Sequence, residues 1–235
     1  MLGTPDILRR RTGDVLCVRR ALHVVLRLDW IEQSMDSCRE DLRRLQNVRD
    51  AFHGIVLTIC SERSFPETQS ILANSCLLEP EHLLTEQGLV LHHHMPGRGW
   101  ERDQVYPDRL TSRRRAREGN DTVFDVGLEY LDMHVGVPRP LLVAGHLDLD
   151  LACLQLADLP VVGISRLPDA EMPSWLVTRA FRTLQSDLGD VIPILLTYFT
   201  HGEPIARPSM RIWTHRHMNP ITTKRILLGG WNAPS

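Results

Sequence analysis

Two acids and a histidine close the most telling segment of the chain, Leu141-Leu142-Val143-Ala144-Gly145-His146-Leu147-Asp148-Leu149-Asp150. A short apolar run ends near a glycine, an acidic turn follows, and an apolar-periodic stretch from Leu149 to Ala157 starts straight after. That order sets carboxylates at the C-terminal edge of a strand, where open α/β sheets place their chemistry. Two further apolar runs end in the same way, one at Arg27-Leu28-Asp29 and one at Ser61-Glu62-Arg63. An arginine at a strand end beside a helix N-terminus makes a phosphate clamp, so Arg27, Ser61 and Arg63 together can form an anion pocket. His146 with Asp150 has the character of a metal-ligand pair; the plainer reading is a histidine in a turn. Of His92-His93-His94, at most two can converge, because neighbours on a strand point to opposite faces. That triplet reads as a surface strand end. His215-Arg216-His217 has no cysteine or acid at ligand spacing and carries no metal signal.

The elements that must position these groups alternate along the chain. Leu22–Asp29 reads as a first strand, Asp36–Phe52 as a helix with Leu42, Leu45, Val48 and Phe52 on one side, and Ile55–Cys60 as a second buried strand. Ser64-Phe65-Pro66-Glu67 opens a helix with a capping serine and an early proline. His82–Thr85 and Leu89–His92 form a hairpin about Gly88. Residues 93–120 are polar, arginine-rich and without a core face, and 122–134 returns to helical period. Leu141–Ala144 and Pro160–Ile164 are strands around the Leu149–Ala157 helix, while Trp175, Phe181, Leu184 and Leu188 share roughly helical spacing as core positions. Strands and helices alternating over connections this short predict a parallel sheet wrapped by helices.

Composition narrows the classes. With 235 residues and a net charge of −2 there is room for one large α/β domain and no basic footprint for nucleic acid. The clusters Arg9–Arg11 and Arg113–Arg115 are too short to change that. The longest apolar run, Val191–Phe199, is far below the roughly 20 residues that span a bilayer, and no signal-peptide pattern is present at the N-terminus. Five scattered cysteines without paired spacing fit a reducing, cytoplasmic setting.

Several segments resemble, in order, the haloacid dehalogenase (HAD) superfamily, and within it the sucrose-phosphate phosphatase group, which includes the phosphatase-like domain ending sucrose-phosphate synthases. Leu57–Ser64 is similar to the second motif, a strand followed by Thr/Ser-Gly-Arg-Ser. Leu78–Leu91 is similar to the Pro-acid segment after it, and Leu128–Leu131 with His134–Pro138 to the helix and turn before the fourth motif. Gly145–Asp150 resembles that motif, Gly-Asp-x-x-x-Asp, with His146 in place of its first acid. Leu156–Gly163 and Asp190–Phe199 resemble the strand and closing helix beyond. The resemblance implies a HAD-like α/β fold, a doubly wound parallel sheet with helices on both faces, over residues 22–200. Residues 1–21 are then a basic arm or linker, 93–120 a reduced insertion leaving the cap largely missing, and 201–235 a tail.

For such phosphatases the resemblance implies an aspartate nucleophile, a second aspartate two residues on as general acid/base, a hydroxyl and a lysine on the phosphoryl oxygens, and an Mg²⁺ held by acids. Carried over, the nucleophile position is Arg27, while Asp29 keeps the acid/base place and Ser61 the hydroxyl. The lysine position falls near Phe124, and Lys224 is the only lysine in the chain. Asp150 keeps one metal-ligand place, with Asp148 as a substitute. A guanidinium is no nucleophile. The chain therefore reads as a catalytically degenerate HAD-fold protein. It would be a regulatory or sugar-phosphate-binding module linked to sucrose metabolism, with a sucrose-synthesis glycosyltransferase as a partner. Arg27, Ser61 and Arg63 would bind the sugar phosphate. The alternative is an active Mg²⁺-dependent phosphoric monoester hydrolase using Asp29 and Ser61, with Mg²⁺ on Asp150 and Asp148.

Overall fold

Strand β1, Leu22–Arg27, is buried along its whole length because it is the central strand of the sheet. The structure is a computed structural model that describes residues 21–37, 39–52, 54–75, 79–114, 123–137, 140–146, 150–163, 173–183 and 188–201. Within these residues the sheet has eight strands: β2 (Ile55–Cys60), β3 (His82–Thr85), β4 (Val90–Met95), β5 (Gly99–Arg102), β6 (Leu141–His146), β7 (Leu159–Gly163) and β8 (Phe181–Thr183) besides β1. Their order is β5-β4-β3-β2-β1-β6-β7-β8. β3–β2, β2–β1, β1–β6, β6–β7 and β7–β8 pair in parallel, whereas β3–β4 and β4–β5 are antiparallel. β1 meets β6 in parallel with His23 opposite Leu141 and Leu26 opposite Ala144, as the alternation of elements predicts.

The helices are α1 (Leu28–Ser37), α2 (Arg39–Ala51), α3 (Phe65–Asn74), α4 (Tyr106–Arg114), α5 (Phe124–Tyr130), α6 (Leu151–Leu156), α7 (Ser174–Arg179) and α8 (Leu188–His201). Side-chain alternation along β1 divides the core in two. Leu22, Val24 and Leu26 face Trp30 and Ile31 of α1, Leu42 and Leu45 of α2, and Val191 and Leu195 of α8. Val25 faces the other layer, with Tyr106 of α4, Phe124 and Leu128 of α5, and Leu154 of α6. A sheet buried on both faces suits the continuous apolar runs of its central strands.

Three expectations need correction. The first strand ends at Arg27, and Leu28-Asp29 already belongs to α1, so two helices stand where the sequence suggests one. The polar stretch from residue 93 continues β4, adds the edge strand β5 and then builds α4, whose Tyr106 is fully buried. Trp175 and Phe181 lie on different elements, α7 and β8, and Leu188 opens α8; Leu184 is outside the described residues. The arm (1–20), residues 115–122, and the tail beyond His201, with His215 and His217, are also outside them.

Candidate functional site

From β1 the chain steps outward to β2 and β3, then returns to β6 on the other side of β1. That reversal opens a crevice at the C-terminal ends of β1 and β6, the position where open α/β sheets bind ligands. Arg27 is the last residue of β1 and lies there, only 6 % exposed. Each of its three guanidinium nitrogens addresses a different carboxylate. Nη2 donates to Glu62 Oε1 at 2.6 Å, Nη1 to Asp150 Oδ1 at 3.3 Å, and Nε to Asp29 Oδ1 at 3.5 Å. The guanidinium carbon also sits 5.1 Å from the ring centre of Phe124, a cation–π distance.

The local sequence explains each partner. Asp29 lies in the first turn of α1, where the positive helix end favours a carboxylate. Glu62 lies two residues beyond Cys60, the register partner of Arg27 on β2. Asp150 immediately precedes α6, and its Oδ2 accepts the backbone N–H of His146 at 2.7 Å. Asp150 can lie this close because position 145 is glycine: a Cβ there would lie 2.7 Å from Asp150 Oδ2 and 2.9 Å from Asp150 Cβ.

One guanidinium faces three carboxylates in the crevice. Burial works against the Arg27 cation, yet Asp150, Glu62 and Asp29 hold its pKa above the already high arginine value. Burial pushes the Asp150 carboxyl above the usual range, with Arg27 pulling it back. Asp29 goes the other way. Burial raises it, but the hydrogen bond from His146 and the nearby Arg27 bring it below the usual range. His146 Nε2 lies 2.6 Å from Asp29 Oδ2, and that bond raises the histidine against the effect of burial. The indole N–H of Trp30 meets the same nitrogen at 3.1 Å.

Of the residues singled out in the sequence, the structure brings Arg27, Asp29, Asp150 and His146 into one cluster. Ser61 is at the same sheet edge, but it is buried and its Oγ accepts from the Thr68 hydroxyl at 2.9 Å and the Arg63 N–H at 3.1 Å. The Arg63 side chain is turned to Glu32, at 2.9 Å. Asp148 falls outside the described residues. Glu62, Trp30 and Phe124 are the contacts that sequence reasoning missed. An arginine at a strand end needs acids from the neighbouring strand ends, and that requirement points to Glu62.

The carboxylates are the right chemistry for Mg²⁺, but their arrangement is not. Mg²⁺ asks for near-octahedral oxygen ligands at close range, and Asp29, Glu62 and Asp150 are drawn onto a guanidinium instead. A divalent ion about 4 Å from Arg27 would be repelled by roughly 8 kcal/mol in an effective dielectric of about 20. Among the described residues no group of three or more His, Cys, Asp or Glu side chains is placed to hold a metal. Mg²⁺ does not fit this crevice while Arg27 is in it.

The histidine triplet is less exposed than a surface strand end. His93 bonds His82, Nδ1 to Nδ1 at 2.9 Å, and its Nε2 reaches Asp103 Oδ2 at 2.9 Å. On the other face His92 stacks on Phe65, ring centres 3.9 Å apart, and His94 pairs with Glu79 at 2.6 Å. Burial, with His93 and His23 nearby, pushes His82 down to about 3. Burial, with Arg102 and His93 nearby, pushes His92 down to about 4. Unfolding frees both to bind protons near the ordinary value of about 6.5. Their contribution to stability is thus complete above about pH 6.5 and is lost as pH falls through the window toward 3. For His82 the loss reaches about 3 kcal/mol by pH 4, from 1.36 kcal/mol per pKa unit. Thermal melts should therefore fall steeply between pH 6.5 and 4, and less steeply for His82→Gln. A melting temperature constant across that range would contradict the buried neutral state.

No protein-family profile matches the chain, and no curated protein matches it. Solved structures do. Sucrose-phosphatase from Synechocystis, determined with sucrose and phosphate, shares 16 % identity over 77 % of this chain and 98 % of its own, with a TM-score of 0.57. A haloacid dehalogenase-like hydrolase from Bacillus subtilis shares 7 % identity over 61 % of this chain and 75 % of its own, at a TM-score of 0.45. A protein from Thermoplasma acidophilum shares 11 % over 77 % and 98 %, at 0.48. The chain shares the α/β fold of that sucrose-phosphatase. No helix among the described residues is long and apolar enough to cross a membrane.

Proposed function

We propose that this protein is a catalytically degenerate member of the sugar-phosphate phosphatase group. It acts as a non-hydrolysing regulatory module in carbohydrate metabolism, and sucrose synthesis is the nearest setting because of the fold it shares with a sucrose-phosphatase. One observation carries the reading: a guanidinium bonded to three carboxylates stands at the strand end where such an enzyme needs a nucleophile. Arginine has no lone pair to attack phosphorus at any pH a protein survives. Both oxygens of Asp29 are engaged, one by Arg27 and one by His146, so its carboxylate is not poised to take a proton from a substrate. The Ser61 hydroxyl is held inside by Thr68 and the Arg63 N–H.

A sugar phosphate fits this reading as a ligand held without turnover. Glu62 and Glu32 are part-exposed on Arg27 and Arg63, so a phosphate can replace them on the two guanidinium groups. A glycosyltransferase of sucrose synthesis is the partner class that such a module would regulate.

Purified protein supplied with Mg²⁺ should release no phosphate from sucrose 6-phosphate or an aryl phosphate above the uncatalysed background. Calorimetry should show sucrose 6-phosphate binding equally with Mg²⁺ and with chelator. Turnover on the order of 1 s⁻¹, in the range of ordinary enzymes, that disappears in Asp29→Asn would replace this reading with an active Mg²⁺-dependent phosphatase.

A further inference from the structure

We infer that Arg27 is a built-in cation: its guanidinium takes the place among Asp29, Glu62 and Asp150 that a divalent metal would occupy, so the crevice assembles without metal. The inference deepens the reading above and rests on it in one respect, that the crevice descends from a phosphatase site.

Three acids converge on one point from three separate places in the chain: the start of α1, the turn after β2 and the turn before α6. Carboxylates gathered at a sheet edge repel one another unless a cation sits between them. Here Arg27 supplies it. A guanidinium suits the role better than an ammonium, because its planar fork addresses several acceptors at once and it gives up its hydration more readily. All three of its nitrogens are used, each on a different acid. Phe124 lies against the same cation at 5.1 Å. An aromatic ring there fits a buried guanidinium and would add no ligand to a metal. His146 covers the second oxygen of Asp29. Asp150, the most buried of the acids at 3 % exposure, has no access to solvent counter-ions and depends on the internal cation.

The role of Arg27 predicts two behaviours. The native protein should be indifferent to divalent ions. Removal of the guanidinium should leave an acid cluster that needs one. Thermal melting of the full chain tests both, in chelator and then in millimolar Mn²⁺, for the wild type, Arg27→Gln and Arg27→Lys. The wild type should melt at the same temperature in both conditions. Arg27→Gln should melt about 10 °C lower in chelator, as expected for uncompensated buried charge in a chain of this size. It should recover most of that loss in Mn²⁺, because an ion bound only by the folded state stabilises it. Arg27→Lys keeps the charge, so it should melt between the two and not respond to Mn²⁺.

Either of two results overturns the inference. One is an Arg27→Gln protein that melts like the wild type in chelator, or that stays unstable or unfolded in Mn²⁺. The other needs no Arg27 variant: Mn²⁺ binding by the wild type, followed by electron paramagnetic resonance and lost in Asp150→Asn. The phosphatase assay remains a separate readout. A wild type that binds Mn²⁺ but hydrolyses nothing sinks the built-in cation and leaves the non-hydrolysing reading standing. A wild type that hydrolyses phosphate esters without binding Mn²⁺ does the reverse.

Discussion

Asp150→Ala is expected to cost about 3–5 kcal/mol of stability, the range for breaking one partner out of a buried ion pair. The loss has several parts. Arg27 stays buried with Asp29 at 3.5 Å and Glu62 at 2.6 Å but without its most enclosed carboxylate. The His146 N–H loses the oxygen it meets at 2.7 Å, and the space beside Gly145 is left unfilled. Asp150→Asn keeps the volume and an acceptor for His146 while removing the charge, so it should lose less. Urea unfolding measures both. Combined with Arg27→Met, the alanine change should cost clearly less than the two separate losses added, because the uncompensated cation is then gone. Strict additivity would mean that Arg27 and Asp150 do not depend on each other.

Gly88→Ala should be comparably severe for a different reason. Gly88 has φ +92°, and a Cβ there would lie 2.8 Å from the Phe124 nitrogen and 2.8 Å from the Val123 carbonyl carbon, both backbone atoms. Backbone cannot rotate away, so the loop and the start of α5 must separate. Their hydrogen bonds, Val123 N–H to Gln87 O at 2.9 Å and Tyr106 hydroxyl to Gly88 O at 2.7 Å, would strain with them. Gly97 is the control: it has φ +78°, but nothing lies within 4 Å of its Cβ position. Gly97→Ala should lose about 1 kcal/mol, the conformational part alone, and Gly88→Ala about 3 kcal/mol or more once overpacking is added. Equal losses would show that the close approach to α5 is unimportant.

The central sheet was legible because its strands are buried on both faces and read as unbroken apolar runs between glycines and acids. Boundaries without such punctuation were not. Leu28, Trp30 and Ile31 continue the apolar run of β1 with no Gly or Pro between them, so the change from strand to helix leaves no mark in composition. The stretch after His93 hid its core contribution in a few residues, Tyr106 and Leu110, among many arginines. At the site, the resemblance let Arg27, Asp29, Ser61 and Asp150 be proposed as one cluster, and each stands at or just beyond a strand end. Hydrogen-bond geometry could not be read in advance. Nothing in the sequence says that Arg63 turns to Glu32, or that Ser61 accepts the Thr68 hydroxyl, since these choices depend on side-chain distances.

Arg27 and Asp150 are 123 residues apart in sequence, while Arg27 and Glu62 are separated by 35. Closing the longer loop carries more entropy, so β1 and β2 can associate before β6 arrives. In that interval the guanidinium stays hydrated and has Glu62 and Asp29 as its nearer partners. It loses water when β6 pairs with β1 and Asp150 reaches it. Contacts made so late on the folding route leave the folding rate almost untouched and act on the way out of the native state. The buried ion cluster is thus a latch on unfolding, and the lifetime of the folded chain depends on it more than the speed of folding does.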